Sequence, residues 1–354
     1  MYFGSYTIYL HFCTLLFAIM QKVFLFSILI LSLFSCKEAR YTPQIPEDAA
    51  PLLFSYPYKD ILPYGNANPE LRIEKINTTY PELSRGIFEE ILGIGHPDSI
   101  FTRFGYAGFL ADPYILETKH KIDTVFTDFS SYEKEYTKAF HNYAWYTPEA
   151  IVPSVAFSYN NFQYAVVALD TCMLVGLEMY LGKDFKGYDG LQWPDYIKVR
   201  RDADLMVAES ITGWLMTEFP KKNDAITFID EIIYRGKIIF YLHKLLPDYP
   251  THRLLGYSTD QFDFCEKNEG NIYGFFIEKK LLYSEDSKEI KKYTEEAPFA
   301  TGMPRETPGR IAWYLGYKIM ESYMKNHPEI SIDQLMKNHD YKAIFAQSKY
   351  KPRK

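Results

Sequence analysis

The sequence predicts an α+β domain that is predominantly α-helical and carries one small β-sheet. At least six stretches place apolar residues at intervals of three and four, which is the spacing of an amphipathic helix. Short runs rich in β-branched and aromatic residues occur in only one cluster, near residues 151–177. The chain shows no internal repeat, which argues against a repeat architecture.

The N-terminus has the pattern of an exported lipoprotein. A short basic segment at residues 20–22 precedes an apolar run that ends in Leu-Phe-Ser-Cys at residues 33–36. A small residue before Cys, with Leu three residues before it, is typical of a bacterial lipoprotein signal, although Phe34 is bulky for its position. We therefore expect cleavage before Cys36 and acylation of Cys36, which makes membrane lipid a predicted partner. A transmembrane helix is the competing interpretation.

Residues 1–19 are apolar and contain no Lys or Arg, which favours Met20 as the true start over a second membrane segment. The predicted signal segment is residues 1–35, and its removal leaves 354 − 35 = 319 residues. Residues 36–69 are rich in Pro, Tyr and Asp, and predict the lipidated Cys, a tether and an extended segment on the domain surface. Residues 70–354 are predicted to form a single globular domain.

The net charge bears on nucleic-acid binding, and the cysteine content bears on disulfide formation. The net charge is −6 and no basic block occurs before the last residues, which argues against nucleic-acid binding. Besides Cys36, the predicted mature chain keeps Cys172 and Cys265. Two free thiols are favoured over a disulfide, although an exported location permits one.

Several elements follow from local patterns in the first half of the chain. Residues 71–76 alternate in polarity and predict a short strand, and residues 83–92 predict a helix that ends at Gly93. Residues 122–143 predict one long amphipathic helix. Residues 151–159 and 164–169, separated by two Asn, predict a β-hairpin, with a third strand at 173–177.

The strongest helical patterns lie in the second half. Residues 204–215, 226–240 and 309–324 each predict a helix, and Pro220 separates the first two. Two capping boxes predict further helix starts, at Ser258 and at Ser331. The helix that begins near Ser258 is expected to extend to about residue 281, and residues 298–309 are expected to form a loop.

Residues 208–212 occupy the frame of the zincin motif His-Glu-x-x-His. That motif places two His ligands one helical turn apart beside a general-base Glu. Only Glu209 matches, because Ala208 and Thr212 replace the ligands, and Glu231 is placed where some zincins have a third ligand. The simpler interpretation is a solvated Glu209 and a Glu231 that pairs with Arg235 one turn later. We prefer it, and expect no metal site and no cofactor.

Other chemical motifs are absent from the sequence. The eight His residues have no metal-ligand spacing, and the sequence contains no nucleophile elbow, phosphate-binding Gly-rich loop or calcium loop. Pro308-Gly309-Arg310 precedes a predicted helix and suggests an anion site. A turn with a surface Arg is the interpretation that we prefer.

Six short motifs, in this order behind the lipoprotein signal, resemble the gliding-motility lipoprotein GldB family. They are residues 177–182 (LEMYLG), 235–237 (RGK), 282–284 (LYS), 297–299 (APF), 308–311 (PGRI) and 348–352 (SKYKP). The resemblance extends from about residue 70 to the end of the chain.

The resemblance implies a cell-envelope lipoprotein that is needed for gliding, works alongside type IX secretion components and has no enzymatic activity. It also implies a zincin-like fold, a lipid anchor facing the periplasm, and other gliding-apparatus proteins as partners. The alternative is an exported hydrolase with a degenerate zincin-like site around Glu209 and Glu231. The missing His ligands favour the non-catalytic hypothesis.

Overall fold

Helices account for most of the residues in the computed structural model, which describes residues 51–63, 65 and 68–353. The α-helices are α1 (Tyr58–Ile61), α2 (Pro69–Thr79), α3 (Pro81–Arg85), α4 (Ile100–Ala111), α5 (Pro113–Val125), α6 (Ser130–Tyr146), α7 (Gly187–Gly190), α8 (Asp195–Lys198), α9 (Met206–Glu218), α10 (Phe228–Leu245), α11 (Thr251–Leu255), α12 (Thr259–Lys267), α13 (Glu269–Glu278), α14 (Ser287–Thr294), α15 (Ile311–Asn326), α16 (Ile332–Lys337) and α17 (Tyr341–Ser348). A π-helix (Gly86–Ile91) and two 3-10 helices (Leu177–Tyr180 and Ala203–Leu205) complete the helical elements of the described residues. The predominantly helical α+β class is thus confirmed, whereas the zincin-like fold stays a prediction. Cys36 and the signal segment lie outside the described residues.

In the part of the chain that the structure describes, four short strands form the sheet: β1 (Phe54–Ser55), β2 (Ser154–Ser158), β3 (Val166–Ala168) and β4 (Cys172–Gly176). Their spatial order is β1-β2-β4-β3, and only β3 runs antiparallel to its neighbour. The predicted hairpin of residues 151–169 is therefore wrong, because β4 lies between β2 and β3. The reason is burial: β2 is almost fully buried and needs partners on both sides, whereas half-buried β3 forms an edge. The predicted third strand is confirmed as β4.

Helices α10 and α15 form the most extensive contact between two elements and define the centre of the core. Nearly every residue of α10 is buried, including those on the side away from α15. Helix α9 packs against α10 and also contacts β3 and β4. The predicted helices at 204–215, 226–240 and 309–324 are confirmed as α9, α10 and α15.

Three predicted elements differ from the structure. Residues 71–76 belong to α2 and not to a strand, because the Asn68 side chain accepts the Glu70 N–H at 2.9 Å and Pro69 begins the helix. The helix predicted over 122–143 is two helices, separated by a turn in which the rings of Phe126 and Phe129 stack. The helix that begins at the Ser258 capping box ends at Lys267, and α13 follows as a separate helix.

The folded chain begins well before residue 70. Strand β1 pairs in parallel with β2, and Tyr58 and Ile61 on α1 are buried in the core. Residues 51–63 are therefore part of the packed domain and not a tether. Both capping boxes, at Ser258 and at Ser331, are confirmed. Cys172 and Cys265 are both free thiols.

Candidate functional site

The zincin frame, residues 208–212, lies on α9, and its side chains do not form a metal-binding site. Ala208 is buried in the core, and the Thr212 hydroxyl donates to the backbone carbonyl oxygen of Ala208 at 2.7 Å. A methyl group and a hydroxyl satisfied by its own helix supply no metal ligand. Within the described part of the chain, no three His, Cys, Asp or Glu side chains group as metal ligands do.

Glu209 is held in an ion pair, so its interpretation as a solvated residue is wrong. Its carboxylate pairs with Nη2 of Arg200, and its side chain is only 19% exposed. The same guanidinium binds the Glu296 carboxylate through Nε at 2.9 Å and the carbonyl oxygen of Gly256 through Nη1 at 2.8 Å. Arg200 therefore joins α9 to two segments that are distant in sequence.

Arg310 completes this group, and it is mostly buried and not a surface residue as predicted. Its Nε lies 3.1 Å from the Glu296 carboxylate, and its Nη2 donates to the carbonyl oxygen of Leu255 at 2.6 Å. Glu296 thus bridges two guanidinium groups. We call the four side chains of Arg200, Glu209, Glu296 and Arg310 the arginine cluster.

The backbone around the arginine cluster is unusually close-packed. Arg310 adopts a left-handed conformation with φ 55°, immediately before α15 begins. The Tyr257 hydroxyl donates to the carbonyl oxygen of Arg310 at 3.0 Å, and a Cβ on Gly309 would lie 2.5 Å from the backbone of Ala297. A Cβ on Gly256 would lie 1.8 Å from Arg200. Gly256 therefore leaves the space that Arg200 occupies, and Gly309 allows the backbone before Arg310 to approach that of Ala297.

The pKa values of Arg310 and Arg200 shift in opposite directions. Burial, with repulsion from Arg200, lowers the pKa of Arg310 to about 10. Burial also disfavours the charge of Arg200, but Glu209 and Glu296 more than offset it and keep the pKa of Arg200 above its ordinary value. Two cations face two anions, so the cluster carries no net charge.

A second group surrounds Glu231 on α10. Arg235 pairs with Oε1 of Glu231 at 2.7 Å, one turn later as predicted, and Lys221 pairs with Oε2 at 2.6 Å. Burial acts to raise the pKa of Glu231, but the two cations hold it below its usual value. The predicted Glu231–Arg235 pair is confirmed.

Trp313 on α15 connects the two groups. Its ring centroid lies 4.7 Å from the guanidinium carbon of Arg310 and 4.9 Å from that of Arg235, both within cation–π range. Its indole N–H donates to the carbonyl oxygen of Thr294 at 2.9 Å. Glu209 and Glu231 therefore lie at the two ends of one network that joins α9, α10 and α15.

The network favours a structural role over catalysis. A general base needs a carboxylate that is free to accept a proton, and a metal ligand needs an unpaired lone pair. The Glu209 carboxylate of the zincin frame is instead paired with Arg200, and the Glu231 carboxylate on α10 is paired with Arg235 and Lys221. Arg200, Glu296 and Trp313 were not predicted from the sequence, although Arg235 and Arg310 belong to two of the six motifs.

The sequence model of the family described as gliding motility protein GldB matches residues 49–352, which confirms the resemblance and extends it toward the N-terminus. No curated protein and no solved structure matches the chain.

Proposed function

The chain belongs to the family of gliding motility protein GldB, and from this premise we propose that it is a lipid-anchored, non-catalytic lipoprotein of the cell envelope. Acylated Cys36 attaches it to a membrane, and the domain faces the periplasm. Its partners are other proteins of the gliding apparatus, alongside type IX secretion components.

The ion pairs of Glu209 and Glu231 are the observation that supports a non-catalytic role. A zincin hydrolase needs two imidazole ligands, an open metal position and a free general-base carboxylate. Here Arg200 binds Glu209, and Arg235 and Lys221 bind Glu231. These ion pairs support a network that fixes helices to one another.

The anchoring part of the proposal rests on residues 33–36. A small residue followed by Cys at the end of a short apolar segment supports cleavage and acylation, and two or more acyl chains give stable membrane attachment. Among the described residues, no helix combines the length and the hydrophobicity needed to cross a bilayer.

Gliding by cells that carry Glu209→Gln in place of the parent chain tests the non-catalytic role. The amide that replaces the carboxylate keeps an oxygen that accepts from Arg200, so the variant is expected to fold and to support gliding. Loss of a general base lowers catalysis by roughly 10²–10⁴-fold, so a hydrolase would lose its function. A folded, membrane-bound Glu209→Gln chain that fails to glide would favour the hydrolase alternative.

A Cys36→Ser variant tests the anchor separately. We expect this chain to remain uncleaved or to leave the membrane fraction, and gliding to be lost. Normal cleavage together with membrane retention would contradict the lipoprotein assignment.

A further inference from the structure

Helix α4 presents an apolar face to solvent. Phe101 and Phe104 are 79% and 71% exposed, and Ile100 is 57% exposed. Ala107, Gly108 and Ala111 continue the same face toward the end of the helix. The face therefore covers the whole length of α4.

This face is not needed to hold α4 in place. The opposite face carries buried Thr102 and Tyr106, and the ring of Tyr106 packs edge-on against Phe88. The single charged side chain of the helix, Arg103, pairs with Glu70 at 2.7 Å. Two neighbouring aromatic rings left in water on a helix with so little charge mark an interaction surface.

We propose that this apolar face of α4 rests in the interfacial layer of the lipid bilayer, an inference that depends on the proposed acylation of Cys36. Phe side chains on one face of a helix that lies in the membrane plane bury in the region between headgroups and acyl chains. The acyl chains supply the anchor, and α4 orients the domain on the membrane.

The short segment between Cys36 and the domain favours the bilayer as the partner that covers this face of α4. The first described residue lies only 51 − 36 = 15 positions after Cys36, which limits the distance between the two residues to roughly 50 Å. Helix α4 contacts α1, the first helix of the domain. The Tyr106 hydroxyl on α4 donates to the carbonyl oxygen of Ile61 on α1 at 2.7 Å. An anchor this short keeps the face at a high local concentration near lipid, so weak insertion is sufficient.

The charge of the face indicates which lipid it needs. Arg103 is neutralised by Glu70, so the face offers no cluster of cations for anionic headgroups. Its association with lipid is therefore apolar. Vesicles of neutral phosphatidylcholine are accordingly the appropriate probe.

Tryptophan quenching in the full-length acylated chain tests the proposal. Phe104→Trp places a reporter on the face, and Tyr283→Trp places one at an exposed position in the turn after α13, where Tyr283 is 63% exposed. Each variant is reconstituted into phosphatidylcholine vesicles and compared with the parent chain, whose own four Trp residues give the baseline. Brominated phosphatidylcholine quenches from the bilayer, and iodide quenches from water.

We expect brominated lipid to quench the added emission at position 104 several-fold more than at position 283, and iodide to show the reverse order. Equal iodide quenching at the two positions would mean that the face is open to water. Protection of position 104 from both quenchers would mean that protein covers it, such as a second copy of the chain. Either outcome overturns the proposal.

Two further readouts separate this inference from the proposed function. The mass of the mature chain reports acylation of Cys36, and flotation with vesicles reports anchoring. An acylated chain that floats but leaves position 104 open to iodide overturns only the role of α4. A chain without acyl groups that does not float overturns the lipoprotein assignment itself.

Discussion

A Cβ atom on Gly236 would lie 2.3 Å from the carbonyl carbon of Gly316, so α10 and α15 cross with their backbones in contact. The reverse substitution is equally crowded, because a Cβ on Gly316 would lie 2.1 Å from the carbonyl oxygen of Ile232. Carbon atoms in contact normally lie about 3.5–4.0 Å apart. Neither position therefore accepts a side chain without separating the two central helices.

We expect Gly236→Ala to lower the free energy of unfolding by at least about 2 kcal/mol, because the new Cβ would meet backbone atoms of Gly316, which cannot rotate away. Gly274→Ala on α13 is the matched control, since nothing lies within 4 Å of its added Cβ. The control is expected to gain about 0.5–1 kcal/mol from helix propensity. Denaturant unfolding of the purified chains measures both, and equal stability of the two variants would contradict the close contact.

Arg200→Gln is expected to destabilise the fold by about 2–4 kcal/mol, because it leaves two partly buried carboxylates without their shared cation. Arg85→Gln is the control, since it removes an exposed pair with Glu89, only four residues later in the chain, and should change little. The measurement is again denaturant unfolding. If the two variants unfold at the same denaturant concentration, the arginine cluster does not hold the helices together.

Because the Glu178 carboxyl is buried, we expect the free energy of unfolding to depend on pH below neutral pH. Glu178 is fully buried, and burial raises its pKa to about 7, although its Oε1 accepts backbone N–H groups from Asn160 and Phe162. The folded chain holds this proton more tightly than the unfolded chain, so the contribution to stability falls as pH rises from about 4.5 to about 7. Glu178→Gln cannot ionise and should become more stable relative to the parent over this interval. Parallel stability curves for the two chains would show that Glu178 does not titrate in the folded protein.

Lys237 predicts the opposite dependence above neutral pH. Burial lowers its pKa to about 7, while its Nζ donates to the carbonyl oxygens of Met336 and Asn338 at 3.1 and 2.7 Å. The unfolded chain binds this proton more tightly, so the contribution to stability rises as pH increases from about 7 to about 10.5. Lys237→Met should remove that rise, as thermal unfolding at pH 7 and above can measure. A variant that keeps the full rise would assign the effect to other groups.

The sequence alone determined the elements that depend on nearby residues. The apolar spacing of residues 204–215, 226–240 and 309–324 predicted three central helices, and the capping boxes at Ser258 and Ser331 predicted two helix starts. The Glu231–Arg235 pair was also predictable, since residues four apart on a helix are neighbours. These features follow from interactions within one or two helical turns.

Only the tertiary structure decided the strand order and the arginine cluster. Strand β4 lies between β2 and β3 because burial of β2 requires a partner on each side, a constraint that no local pattern contains. Arg200 joins Glu209 to Glu296, and Glu296 also pairs with Arg310, although these side chains come from separate segments of the chain. Gly236 likewise meets Gly316 on another helix. The free energy of such contacts exists only once the helices are packed, because that packing both brings the groups together and excludes the water that would otherwise solvate them.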